Sequence, residues 1–149
     1  MTLTAARPTI LLVEDSDDDA FFFRRALNKC RLEHDLIHFS DGASAVEFLE
    51  KLFRGGGETQ APKHLFLDLK LPVMSGFELL EWLSNRFAEK KNLLQVSILS
   101  GSDSAVDMSH ARHLGVSDYF VKPVTPALLK ARLQGALSAE SPPRDGSPA

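Results

Sequence analysis

The sequence predicts an α/β fold, a five-stranded parallel sheet held between two layers of helices. Three observations carry that expectation. Five short apolar runs alternate with five helix-like segments, an alternation that builds parallel sheets with helices on both faces. The first run, Ile10-Leu11-Leu12-Val13, is apolar without interruption, as a strand buried on both faces must be. Acids, a hydroxyl or a lysine then close four of the runs: Glu14-Asp15, Asp68, Ser100 and Lys122-Pro123.

After the first strand, Ser16 or Asp17 caps a helix that runs to about Cys30. Leu36, Ile37 and Phe39 form the second strand, and Asp41-Gly42 opens a helix with Val46, Leu49 and Phe53 at helical spacing. Gly55, Gly56 and Gly57 end it, and a polar loop leads to Pro62. Leu65 to Leu67 make the third strand. Ser75 and Glu78 have capping-box spacing, followed by a stripe of Phe77, Leu80, Leu83 or Ser84, and Phe87. Val96, Ile98 and Leu99 form the fourth strand, and a helix from about Asp103 to His113 stops at Gly115. Tyr119 to Val121 form the fifth strand. Thr125 caps the last helix with Pro126 at its first position, and Leu129, Leu133 and Leu137 turn inward.

Size and composition narrow the function. A chain of 149 residues holds one ordinary domain with a real core. Its net charge of −3 leaves no basic surplus for a nucleic-acid backbone. No apolar run approaches the ~20 residues of a membrane span, and no signal-peptide core opens the chain. Cys30 is the only cysteine, so no internal disulfide forms, and a cytoplasmic location is expected.

In open parallel sheets ligands bind beyond the carboxyl ends of the strands, where these polar residues stand. Asp15 and Asp68 offer carboxylates from adjacent strands, with Glu14 beside them, a donor set suited to Mg²⁺ (or Mn²⁺) and a phosphate. Three clustered carboxylates repel one another, and a divalent cation relieves the repulsion. A carboxylate can also attack phosphorus, and Asp68, at the end of the central apolar strand, is the candidate nucleophile. Lys122 would neutralise one phosphoryl oxygen and Ser100 would donate a hydrogen bond to another. A cis bond at Lys122-Pro123, cheap before proline, is expected to turn Lys122 back toward the pocket.

Together these residues resemble the receiver domain of two-component response regulators. The pieces are Leu12-Val13-Glu14-Asp15-Ser16, Asp68 with Pro72 and Gly76 behind it, Ser100-Gly101, and Tyr119 ahead of Lys122-Pro123. The first stretch and Asp68-Leu69-Lys70-Leu71-Pro72 look most like the stand-alone regulators that partner bacterial phytochromes. The resemblance implies a flavodoxin-like sheet of order 2-1-3-4-5 over residues 9–138; the small, polar residues 1–8 are expected to be flexible and the 139–149 tail, rich in Pro, Ser and Gly, disordered. It implies Asp68 as phosphoacceptor, Glu14 and Asp15 as the Mg²⁺-binding acids, and the Lys70 backbone carbonyl as a further ligand. It makes Lys122 the phosphoryl partner, Ser100 the switch hydroxyl and Tyr119 the aromatic switch residue. The implied partners are a sensor histidine kinase, of phytochrome type, or a histidine phosphotransfer protein. A downstream protein, and a homodimer through the fourth helix, fifth strand and fifth helix, complete the set; nucleic acid and membrane are not expected. Two residues depart from the common pattern. Ser100 replaces the more usual threonine, and Gly101 replaces a small residue that is often alanine, leaving room but loosening the loop.

Other readings make different demands. A phosphatase with an aspartate nucleophile, of haloacid dehalogenase type, wants a second acid two residues on, where this chain has Lys70. A pseudo-receiver that works without phosphorylation has no need of Glu14, Asp15, Asp68, Ser100 and Lys122 together. A flavin or nucleotide carrier wants a glycine- or hydroxyl-rich loop after the first strand, where this chain has acids. Asp17-Asp18-Asp19 reads as a solvated helix start favoured by the helix dipole. Of Phe21, Phe22 and Phe23 at least one must face solvent, and Trp82 is expected to join it. His110 and His113 share a helix face, but no further soft ligands accompany them for zinc.

Overall fold

The computed structural model describes residues 8–55, 62–86 and 94–134. Strands β1 (Thr9–Val13), β2 (Asp35–Phe39), β3 (His64–Asp68), β4 (Gln95–Ser100) and β5 (Asp118–Val121) alternate with helices α1 (Asp17–Lys29), α2 (Gly42–Arg54), α3 (Gly76–Arg86), α4 (Ala105–His113) and α5 (Pro126–Leu133). All strand pairs are parallel, in the order β2-β1-β3-β4-β5. This is the flavodoxin-like arrangement the sequence predicts. Expectations for residues 1–7, Gly56, Gly57, Phe87, Leu137 and the 139–149 tail fall outside the described residues.

The uninterrupted apolar runs follow from a sheet with two cores. Alternate residues of a strand point to opposite faces. Leu11 and Val13 of β1 join Leu65 and Leu67 of β3 beneath α2 and α3, where Leu49, Phe53, Leu79 and Leu83 pack. Ile10 and Leu12 join Phe66 on the other face, against Phe23 and Leu27 of α1 and Leu129 of α5. Ile10 to Val13 are all fully buried. Each such side chain contributes roughly 1.5–3 kcal/mol, so a polar residue within either central strand would be costly.

Caps at Ser16, Asp41, Ser75 and Thr125 stand where the sequence predicts them, and Ser104 adds one it did not. Ser16, Asp41, Ser104 and Thr125 each accept a hydrogen bond from the backbone N–H three residues on. Ser75 and Glu78 exchange reciprocal bonds of 2.8 and 3.1 Å, as a capping box requires. Helix α4 starts at Ala105, two residues after the expected Asp103, because Ser104 takes the cap. Phe21 and Phe22 are exposed and Phe23 is buried. Trp82, expected in solvent, is instead half-buried against the α2/α3 core.

The amino edge of the sheet holds a buried polar cluster that the sequence did not announce. Arg132 of α5 is 1% exposed. Its guanidinium is paired with Asp118 at the start of β5 and donates to the Gln95 side chain at 3.1 Å. His64, at the start of β3 and in register with Gln95, is also buried, and among the described residues its Nδ1 meets no hydrogen-bond partner. Burial first, then the charges of Arg132 and Lys63, push the His64 pKa down to about 4. The unfolded chain protonates this imidazole below about 6.5 and the folded chain resists, so its contribution to stability is whole above 6.5 and is lost as pH falls toward 4. His64→Leu, close in volume, is therefore expected to gain on the wild type as pH drops, by about 3 kcal/mol between pH 7 and 4. Parallel urea titrations of both proteins at each pH measure that difference, with other titrating groups cancelling. A difference independent of pH would contradict it.

Candidate functional site

The carboxyl ends of β1, β3, β4 and β5 form one edge, and the loops leaving them carry the predicted residues. Glu14 follows β1 directly and is 1% exposed. It is held from three sides. Its backbone N–H donates to the Phe39 carbonyl at 3.0 Å, and its carbonyl accepts from His38 Nε2 at 2.9 Å. Its Oε2 accepts from the Ser16 N–H at 3.1 Å. Asp15 is exposed beside it. Asp68, the last residue of β3, is 5% exposed, and its Oδ1 accepts from the Lys70 N–H at 3.2 Å.

The β3–α3 connection wraps tightly around Asp68. Gly76 donates its N–H to the Leu69 carbonyl at 2.9 Å, so α3 starts against the backbone of the acid. At the tip of this loop Met74 N–H bonds back to the Pro72 carbonyl at 2.7 Å, forcing Val73 to φ 68° while its side chain lies 98% exposed. A β-branched residue is strained there and nothing is buried in return. Val73→Asn, whose side chain tolerates this region, is expected to stabilise the protein by about 1 kcal/mol, read as a higher denaturation midpoint. An unchanged or lower midpoint would show that the turn carries no such strain.

Lys122 draws the edge together from β5. The Lys122-Pro123 bond is cis, as expected. Its backbone N–H donates to the Ser100 carbonyl at 2.8 Å, fixing the end of β5 to the end of β4. Its Nζ lies 2.7 Å from Asp19 Oδ2, 2.8 Å from Glu14 Oε1 and 3.3 Å from Asp68 Oδ2. Glu14, Asp68 and Lys122 therefore meet as predicted. Asp19 does too, which corrects the solvated reading of the Asp17-Asp18-Asp19 run. Asp17 and Asp18 are exposed, but Asp19, whose N–H is bonded to the capping Ser16 at 3.2 Å, is carried by the first turn of α1 over the strand edge.

Charge is unevenly shared in this group. Burial pushes the Glu14 carboxyl up to about 7; the bond to Lys122 pulls it down, and the charge of Asp68 adds to the rise. Burial also works against the charged form of Lys122. Hydrogen bonds to Asp19 and Glu14 and the charges of Asp68 and Glu14 outweigh it, holding the lysine above its ordinary value. The two directions are compatible because one ammonium is divided among three carboxylates. Lys122 gains from all of them, and Glu14 receives only part of a cation while bearing its own burial.

The donor chemistry fits a hard divalent cation. One carboxylate oxygen each from Glu14, Asp15 and Asp68 lie within 4.8 Å of one another. Oxygen-only, anionic and partly open to solvent, the trio matches the preference of Mg²⁺ for a few carboxylates plus water. The ammonium of Lys122 lies in contact with two of the three, where positive charge is favoured.

The switch candidates lie on the neighbouring strands. Ser100 is fully buried, one residue beyond Leu99, the register partner of Asp68, and its Oγ accepts from the Ser102 N–H at 3.0 Å. Tyr119, half-buried against the α2/α3 core, donates its hydroxyl to the Ser102 carbonyl at 2.9 Å. Both thus grip the same residue of the β4–α4 loop. A methyl added at Gly101 would meet nothing within 4 Å, so the room expected from glycine there exists without it. His110 stacks on Phe77 with ring centroids 4.1 Å apart. His38, Asp19 and the Ser102 carbonyl were not expected from the sequence; His38 and the Ser102 carbonyl are recognisable only once a second element is in place, and Asp19 carries one local signal, its place three residues after the Ser16 cap.

No helix among the described residues is long and apolar enough to cross a membrane. Residues 10–134 match the response regulator receiver domain family. Response regulator Rcp1 of Synechocystis sp. is 32% identical over 114 residues, 76% of this chain and 75% of that protein. Among solved structures, the bacteriophytochrome response regulator RtBRR superposes with a TM-score of 0.73 at 30% identity, covering 96% of this chain and 86% of that one. The bacteriophytochrome response regulator AtBRR gives 0.70 at 30% identity, covering 91% and 97%. Of two longer transcriptional regulators that it also resembles, the chain spans 51% and 48%. With its strand order, its helical layers and 125 consecutive residues matched, the chain belongs to the response regulator receiver domain family of two-component signalling proteins.

Proposed function

We propose that the chain is a receiver that accepts a phosphoryl group on Asp68, with residues 9–138 as the working domain. The observation that carries this reading is the convergence of Glu14, Asp68 and Lys122 within 3.3 Å contacts at one sheet edge. A carboxylate oxygen of Asp68 bonds to phosphorus while the donor's phosphorus–nitrogen bond breaks, and the departing imidazole keeps the electron pair. Lys122 moves the hydrogen bond it makes to the Asp68 carboxylate onto a phosphoryl oxygen, and Ser100 donates its hydroxyl to another. Glu14, Asp15, Asp68 and the Lys70 carbonyl would hold Mg²⁺ or Mn²⁺, which when bound supplies charge neutralisation for the phosphoryl oxygens.

The response then runs through Ser102. Once Ser100 turns toward the phosphoryl group it gives up the Ser102 N–H, the neighbour of the atom that Tyr119 holds. Release of this loop lets Tyr119 move and changes the surface of α4, β5 and α5, a two-position element biased by local charge. That surface is the site proposed for a downstream protein or a second copy. The phytochrome-type neighbours support a histidine kinase of that kind as donor, or a phosphotransfer protein.

The test is incubation with a small phosphodonor, with and without Mg²⁺, followed by intact mass. One phosphoryl group is expected on the wild type with Mg²⁺ and none on Asp68→Asn. Continuous hydrolysis of added phosphomonoesters would favour the phosphatase reading, and unmodified wild type under all conditions would favour the pseudo-receiver.

A further inference from the structure

We propose that Asp19 is a positioning residue that holds Lys122 whenever Glu14 and Asp68 turn to a divalent cation. The inference rests on the metal reading of the acidic edge and extends it to a residue outside the donor trio.

An ammonium has three N–H donors, and here each faces a carboxylate: Asp19 at 2.7 Å, Glu14 at 2.8 Å and Asp68 at 3.3 Å. Two of the three acceptors, Glu14 and Asp68, belong to the oxygen set suited to a cation, and Asp19 does not. Lys122 and a divalent ion thus compete for the same oxygens. A lysine with no other anchor would give up both partners when the ion binds, and that loss would count against metal affinity. With Asp19 in place, Lys122 keeps its shortest ion pair and stays beside Asp68, ready for a phosphoryl oxygen. The anchor is firm at its own end. Asp19 lies in the first turn of α1, and its N–H is bonded to the Ser16 cap. Its side chain is 38% exposed against 2% for Glu14, so retaining a bond to it demands less desolvation than a buried acid would.

The prediction is a coupling between two residues. In metal-free protein titrated with Mg²⁺ by calorimetry, Asp19→Asn is expected to weaken binding about five-fold, because Lys122 then rests wholly on Glu14 and Asp68. In a Lys122→Met background the same Asp19→Asn change is expected to alter affinity by less than about two-fold, since only a screened surface charge is lost. Asp19→Glu, which keeps the carboxylate, restores affinity toward the wild-type value. Equal weakening in both backgrounds would reduce Asp19 to a diffuse charge and overturn the proposal, as would no effect in either. Failure of the wild type to bind Mg²⁺ at all would remove the metal reading and this inference with it. Normal binding without the coupling removes this inference alone.

Discussion

Alanine in place of Gly76 is expected to destabilise the protein by about 3 kcal/mol or more and to cost most of its phosphorylation. A Cβ at this position would stand 2.4 Å from the carbonyl oxygen of Asp68 and 2.8 Å from the Leu69 Cα. Both are backbone atoms of the segment that ends β3, so no side-chain rotation relieves the overlap. Either α3 withdraws, breaking the 2.9 Å bond from Gly76 N–H to the Leu69 carbonyl, or Asp68 shifts away from Lys122. Gly42 is the control. A Cβ there meets Met74 at 3.1–3.3 Å, partly side chain, and Gly42→Ala should cost far less. Urea denaturation of the two variants, with phosphorylation rates alongside, separates the cases. A Gly76→Ala protein as stable as Gly42→Ala would contradict the close approach.

Lys122→Met is expected to lower the rate of phosphorylation by about 10²-fold or more, the usual loss when one preorganised charge partner of a transferring group is removed. Among the described residues no second side-chain cation is paired with Asp68, and the other charged groups that converge on this edge, Glu14, Asp15 and Asp19, are acids. Mg²⁺ binding should survive and tighten, since the ammonium no longer occupies Glu14 and Asp68. The metal-free variant should also be less stable than the wild type and recover with Mg²⁺, because three carboxylates then face one another without a cation. Phosphorylation near the wild-type rate would mean that the lysine is only a structural counter-ion.

The fold was legible because a strand buried on both faces leaves a continuous apolar run, and Ile10–Val13 and Leu65–Leu67 are such runs. The caps were legible because Ser16, Asp41, Ser75 and Thr125 are local devices whose partners lie three residues away. The site was legible in a different way. Glu14, Asp68 and Lys122 are far apart in sequence, and only the rule that parallel strands end on one edge brings them together. Asp19 was hidden by its company. Three acids at a helix start are normally solvated, and two of these are. The readable signal was its place three residues after the Ser16 cap, in the turn that overhangs β1. Arg132 was hidden because its acceptors, Asp118 and Gln95, come from strands β5 and β4 rather than from its own helix, and nothing local in Pro126–Leu133 marks one cation as buried. Trp82 and the Gly101 loop likewise depend on neighbours remote in the chain.

The central claim is that one particular carboxylate takes the phosphoryl group. Reduction of the phosphorylated protein with borohydride converts an acyl phosphate on aspartate to homoserine, and peptide mapping then finds its position. Homoserine is expected at residue 68 alone, formed only when Mg²⁺ was present during phosphorylation. Homoserine at residue 15 or 19, or a phosphoserine that borohydride leaves unchanged, would contradict that assignment.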